Sequence, residues 1–326
     1  MNTRTIGDTD LVISEMGLGC WQFGGDFGPM EKQTAVDILE TSEREGVTFF
    51  DTADVYGNGR SESIIGEYLD NRDHGITVAT KFGREQGVYP DGYTEKALRI
   101  KTEESLKRLK TDALDLLQLH CIPMKYLKSG EIFEWLRKLK EEGKIRHFGA
   151  SVETVEEGLV CLEAEGITSL QIIFNIFRQK PLKELMPKAK KQGVGIIVRL
   201  PLASGLLAGK FTKESSFDKS DHRNFNRDGQ MFNVGETFAG LPFEKGVELA
   251  DQLKPLVPEG TTMAQMSLRW ILDHDEVSVI IPGASRTSQA VDNAKTSDLP
   301  RLSDNLHEKL AVFYQEEVHK HIRGPY

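Results

Sequence analysis

The chain is short of cysteine, of positive charge and of long apolar runs, and each shortage removes a class of protein. Its three cysteines, Cys20, Cys121 and Cys161, lie far apart, so there is neither a disulfide framework nor a CxxC pair, and no metal site is expected. A reducing, cytoplasmic setting fits that usage. Lys and Arg total 41 against 50 Asp and Glu, a net charge of −9, which leaves no general surface for nucleic acid. A local basic pocket for one phosphate stays open. No stretch approaches the ~18–20 apolar residues of a membrane helix. The opening MNTRTIGDTDLVISEMGLGC lacks the apolar centre of a secretory signal, and none is expected. Two phosphate-loop patterns also fail. In GLGCWQFGG, Gln22 stands where a GxGxxG from Gly17 needs glycine. In LASGLLAGKF, Ser204 stands where a P-loop needs glycine and Phe211 replaces the Mg²⁺-binding hydroxyl. His319 and His321 are two apart, on different faces of any helix, and make no metal pair.

What the chain does have is repetition. Short runs rich in Val, Ile, Leu and Phe alternate with longer helical patterns: MGLGC, VTFFDT, ITVATKF, ALDLLQLH, KIRHFGAS, SLQIIFN, VGIIVRL and VSVIIPG each precede one. Runs this apolar read as strands buried on both faces, hence parallel. Gly46, Gly143, Gly166 and Gly193 follow helical runs as stop signals. Eight such units in 326 residues predict a single α/β domain spanning 1–326, a closed (β/α)8 barrel of the TIM type. TRTIGDTDLVISEMG reads as an N-terminal β-hairpin plugging the barrel bottom, and Ser303–His321 as one extra C-terminal helix. The stretch 210–240 has no periodicity and reads as a mobile insertion or a lid.

Four ionisable residues end strands or follow them: Asp51 and Tyr56 in FFDTADVYG, Lys81 in TVATKFG, His120 in LLQLHCIP. With neighbouring strands ~4.8 Å apart, Asp51, Lys81 and His120 span an arc of roughly 10 Å at the C-terminal rim, where such barrels place their chemistry. Tyr56 folds over them from its loop. A lysine ammonium beside a phenol favours phenolate, and should draw the tyrosine pKa below ~10. Asp51 keeps Lys81 protonated by pairing with it. His120 adds a hydrogen bond to the same oxygen. Together they make a proton donor facing a polarised carbonyl. Trp21, after the first strand, offers an apolar wall, and Cys20 and Cys121 read as small packing residues.

FDTADVYGNGRSE, TKFG, LQLHCIP, GASVET, LPLASGLLAGKF and IPGASRTSQAVDNA resemble, in order and spacing over nearly the whole chain, the motifs of the aldo-keto reductases, with GLGCWQFGG resembling the bacterial IolS-like and potassium-channel-β-like branch. That resemblance implies an NADPH-dependent reduction of aldehydes or ketones, with NADH possible. Tyr56 would be the general acid, Lys81 and Asp51 would tune it, and His120 would orient the carbonyl. It further implies that Ser151 and Gln171 hold the nicotinamide carboxamide. Pro201, Leu202, Ser204, Gly205, Leu206 and Lys210 would cradle the pyrophosphate, and Gly283, Ser285, Arg286, Gln289 and Asn293 would surround the adenosine end. Arg286, at a helix start, suits a 2′-phosphate. Two positions depart from the family pattern. Val152 replaces the asparagine after Ser151, and Arg199 replaces the aromatic that stacks on the nicotinamide, where its charge should favour the reduced cofactor. Two rival readings are a Schiff-base aldolase using Lys81 and a cofactor-bound regulatory or redox-sensing subunit.

Overall fold

The computed structural model describes residues 1–326. An antiparallel hairpin opens the chain, β1 (Thr3–Thr5) against β2 (Val12–Ser14). Eight parallel strands follow: β3 (Leu18–Gly19), β4 (Phe49–Asp51), β5 (Thr77–Phe82), β6 (Leu114–His120), β7 (Ile145–Ser151), β8 (Ser169–Ile173), β9 (Gly195–Arg199) and β10 (Val277–Ile280). They pair in chain order, β3 through β10. The last strand returns to the first. Gly17 N donates to Ile280 O at 2.8 Å and Gly19 N to Pro282 O at 3.1 Å, which closes the barrel.

Every residue of β4, β8, β9 and β10 is buried, as expected of strands covered inside by the barrel core and outside by helices. The hairpin does plug the floor. Ile6 and Ile13 are fully buried and join Phe49, Ala79, Leu116, Ile197, Val279 and Ile281 in an apolar cluster inside the barrel. The predicted glycine stops hold: Gly46, Gly143, Gly166 and Gly193 take φ of 87°, 74°, 84° and 67°, a left-handed turn that costs glycine little.

The helical expectations needed four corrections. The helical run expected to stop at Gly166 is regular only over Val155–Cys161, because Glu163 N and Ala164 N already reach back three residues, to Val160 O and Cys161 O. Two helices were unforeseen: Met124–Ser129 after β6, and Phe243–Leu253, which buries Phe243, Val247, Leu249 and Leu253. The C-terminal helix is regular over Asp304–Phe313 and then changes winding through His321. The stretch 210–240 is not structureless. It holds a short helix, His222–Phe225, and is pinned by Asn226, whose Oδ1 accepts from Met231 N and Phe232 N and whose Nδ2 donates to Thr237 Oγ1 at 3.1 Å. His222 N donates to Asp26 O at 2.8 Å, tying this insertion across the barrel mouth to the loop after β3. No helix is long and apolar enough to cross a membrane.

Candidate active site

Parallel pairing sets the geometry. Asp51 sits beside Ala79 of β5, Lys81 beside Gln118 of β6, and His120 beside Ser151 of β7, so the polar ends of three strands share one rim. Asp51 and Lys81 are buried, and Lys81 Nζ lies 2.5 Å from Asp51 Oδ1. The ammonium also donates to Thr52 O at 2.6 Å and to Tyr56 Oη at 3.4 Å, so all three of its protons are directed. Asp51 Oδ2 accepts from Gln171 Nε2 at 2.7 Å and Gln118 Nε2 at 3.2 Å. These donors satisfy the buried carboxylate without water.

Tyr56 is held by its loop. A Cβ on Gly24 would lie 2.7 Å from Gly57 N and 3.0 Å from Tyr56 Cα, so the loops after β3 and β4 meet backbone to backbone there. Trp21 stacks on the Tyr56 ring at 5.9 Å and donates from Nε1 to Asp26 Oδ2 at 2.8 Å. The His120 ring stands edge-on to Tyr56 at 6.0 Å. The expected lowering of the Tyr56 pKa is not found. Burial, and then the charges of Asp51 and Glu236, push the phenol well above its ordinary value, outweighing the charge of Arg199. The lysine therefore orients a protonated phenol rather than ionising it. Burial, then the charges of Lys81, Arg84 and Arg199, hold His120 well below the usual imidazole range, so its ring is neutral at pH 7 and can donate one N–H.

Over this rim opens a cavity of about 330 Å³. Trp21, Asp51, Tyr56 and His120 line it, with Ser151, Gln171, Arg199, Pro201, Leu202, Ser204, Gly205, Gly283, Ser285 and Gln289 of the expected cofactor set. Lys81 lies just beneath, reaching the surface through Tyr56. Leu206, Lys210, Arg286 and Asn293 do not line it: Leu206 is core, while Lys210 and Arg286 are exposed. Gln171 is already engaged, through its amide nitrogen with Asp51 and through Oε1 with Ser151 Oγ at 3.4 Å. After β9 the backbone turns sharply, with positive φ at Leu200, Ala203, Ser204 and Gly205. Such backbone strain outside glycine concentrates at functional sites.

Arg199 is not a free charge. It is buried and paired with Glu236, donates to Val152 O at 3.1 Å, and lies 3.6 Å from Cys121 Sγ. Burial pushes the Glu236 carboxyl up, but Arg199 and Arg84 overcome this and hold it below its ordinary value. The full charge beside the cofactor anticipated for Arg199 is thus offset by a carboxylate. Sequence reasoning missed Glu236, Arg84, Glu153, Arg223, Phe27 and Phe232, all of them on or beside the cavity. Arg84 and Glu153 follow β5 and β7 by two residues and could have been found as further strand-exit positions. Glu236, Arg223 and Phe232 come from the insertion, which offers no periodic signal.

Residues 15–314 match the profile of the Aldo/keto reductase family. An uncharacterised oxidoreductase of Bacillus subtilis, YqkF, is 29% identical over 98% of this chain and 99% of its own. A probable voltage-gated potassium channel subunit beta of Arabidopsis thaliana is 29% identical over 97% of this chain and 98% of its own. Among solved structures, a glycerol dehydrogenase from Gluconobacter oxydans superposes with a TM-score of 0.78 at 27% identity, covering 99% of this chain and 97% of that one.

Proposed function

The chain belongs to the aldo/keto reductase family, and from that premise we propose that it is an NAD(P)H-dependent reductase of aldehydes or ketones, with Tyr56 as general acid. The observation that carries this reading is the convergence of Asp51, Tyr56 and His120 on one cavity wall with Lys81 just beneath it, bonded in the order Asp51–Lys81–Tyr56. The cavity suits a dinucleotide. It is elongated in residue terms, running from Tyr56 past Ser151 and Gln171 to the strained turn at Ser204–Gly205 and the loop at Gly283–Gln289. The helix Thr287–Ala294 starts beside that loop, and its exposed N-terminus with Arg286 suits a 2′-phosphate, which favours NADPH over NADH. The reduced nicotinamide, when bound, supplies the hydride.

The chain's own residues do the rest. The neutral His120 ring and the Tyr56 hydroxyl hold the substrate carbonyl oxygen, and Tyr56 Oη gives it a proton as negative charge develops there. Lys81 fixes the phenol's direction, and Asp51 fixes Lys81. Trp21 and Phe232 exclude water along the wall. A Schiff base on Lys81 would need a free amine lone pair, whereas its nitrogen points three protons at Asp51, Thr52 and Tyr56. The whole chain, 1–326, acts as one cytoplasmic unit in this reading. NADPH and NADH oxidation against a panel of aldehydes and ketones tests it. Tyr56→Phe should lower kcat by about 10²–10⁴-fold while still binding NADPH by fluorescence titration. Equal activity of the two proteins would discard Tyr56 as the general acid; tight NADPH binding with no turnover of any carbonyl would discard the enzymatic reading and fit a cofactor-bound regulatory subunit.

A further inference from the structure

The wall beside His120 is built from arginines that keep donors in reserve. Arg84 lines the cavity; its Nε donates to His120 O at 3.3 Å and its Nη2 pairs with Glu153, which leaves Nη1 with no protein partner. Arg199 lines the same wall, pairs with Glu236, and has a buried Nε with no acceptor. Behind them Arg178 is almost fully buried. Its guanidinium donates only to Glu153 O and Pro325 O, at 3.4 and 3.3 Å, lies over the Tyr326 ring at 4.7 Å, and has an Nη1 also without an acceptor. Burial draws its pKa down to about 10, so it remains charged at neutral pH. Three guanidinium groups therefore face two carboxylates, Glu153 and Glu236. The Asp51–Lys81 pair is neutral in sum and His120 is uncharged. On this wall one positive charge is left over; elsewhere on the cavity Arg223 is paired with Asp221, and the Asp26 carboxyl, pushed up by burial, accepts from Trp21.

We propose that the carbonyl substrate carries a carboxylate, held by Arg84 and Arg199 while its carbonyl faces Tyr56 and His120. Resting on the reductase reading, this names the substrate class as short oxo acids. Two observations make the acid short. Arg84 touches the backbone of His120 itself, and Arg199 touches Cys121, the next residue, so the anion subsite adjoins the carbonyl subsite directly. The excess of a single charge favours a carboxylate over a phosphate dianion, which Glu153 and Glu236 would repel. Each arginine is held in plane by its glutamate, so little side-chain freedom is lost when a carboxylate accepts from the remaining donors.

The test compares acid with ester. With NADPH, kcat/KM is measured for pyruvate and 4-oxobutanoate and for their methyl esters, in the wild type, Arg84→Gln and Arg84→Lys. The wild type should prefer the acids by about tenfold or more, Arg84→Gln should lower the acid-to-ester ratio about ten- to hundredfold, and Arg84→Lys should recover part of it. Independently of turnover, succinate but not succinamide should raise the melting temperature of the wild-type protein with NADPH, and fail to do so in Arg84→Gln. Esters preferred by the wild type, or a ratio unmoved in Arg84→Gln, would overturn the substrate class and leave the reductase reading intact. If no acid, ester or simple aldehyde is consumed with either cofactor, the reductase reading itself falls, and the substrate class with it.

Discussion

Tyr56 carries a consequence for pH. Its phenol is pushed well above 10 by burial and Asp51. In the proposed reaction, reduction needs the protonated form and oxidation of the alcohol needs the phenolate. The group is protonated across the neutral and alkaline range, so reduction should be flat in kcat/KM from about pH 7 to pH 9. Oxidation should climb roughly tenfold per pH unit over the same range, with no plateau before about pH 10. A stopped-flow profile in both directions checks this; an oxidation plateau near neutral pH would mean that Lys81 wins over Asp51 after all. At this scale the grouping of Asp51, Tyr56, Lys81 and His120 was legible as polar endings on apolar strands. The sign of the Tyr56 shift was not, because it depends on burial, and burial depends on the insertion and on Trp21 stacking over the ring.

Among elements, the decisive contact is between two loops. Gly24 and Gly57 touch through their backbones, and that contact places Tyr56. Gly24→Ala must push the second loop outward, since the added carbon would sit 2.7 Å from Gly57 N. A displacement of about 1 Å costs on the order of 10²-fold in rate. Gly24→Ala should therefore lose kcat by that order while its melting temperature falls only modestly, measured by steady-state kinetics beside a thermal melt. An unchanged kcat would show that Tyr56 is positioned by Trp21 alone. The barrel strands were readable because both faces of each are buried, which leaves continuous apolar runs such as GIIVR and VSVI. The insertion was not, because Asn226 and Asn233 hold it by local side-chain bonds to backbone, a device with no period. For the same reason Glu236, which neutralises Arg199, could not be anticipated from its neighbours in the chain.

The whole molecule should be sensitive to acid through its buried histidines. Burial holds His222 and His274 down to about 4 and His120 well below its usual range. Their folded pKa values lie below the unfolded value of ~6.5, so the unfolded chain takes up protons first as the pH falls. Their contribution is complete above about pH 6.5 and is lost between there and about pH 4. His274 packs against Trp270 and Phe174, with Nε2 buried and unpartnered. His274→Phe should keep that packing and remove the proton uptake. Between pH 7 and pH 4.5 it should lose less stability than the wild type, by up to about 3 kcal/mol in urea titrations. Parallel losses in the two proteins would show that His274 titrates normally.

The N-terminal hairpin has one more consequence. Ile6 and Ile13 fill the barrel floor among Phe49, Leu116 and Ile197. The barrel is therefore a vessel with a single opening, and the link from His222 to Asp26 spans that opening. Whatever comes in has to leave by the way it came. Reactant and product therefore share one doorway.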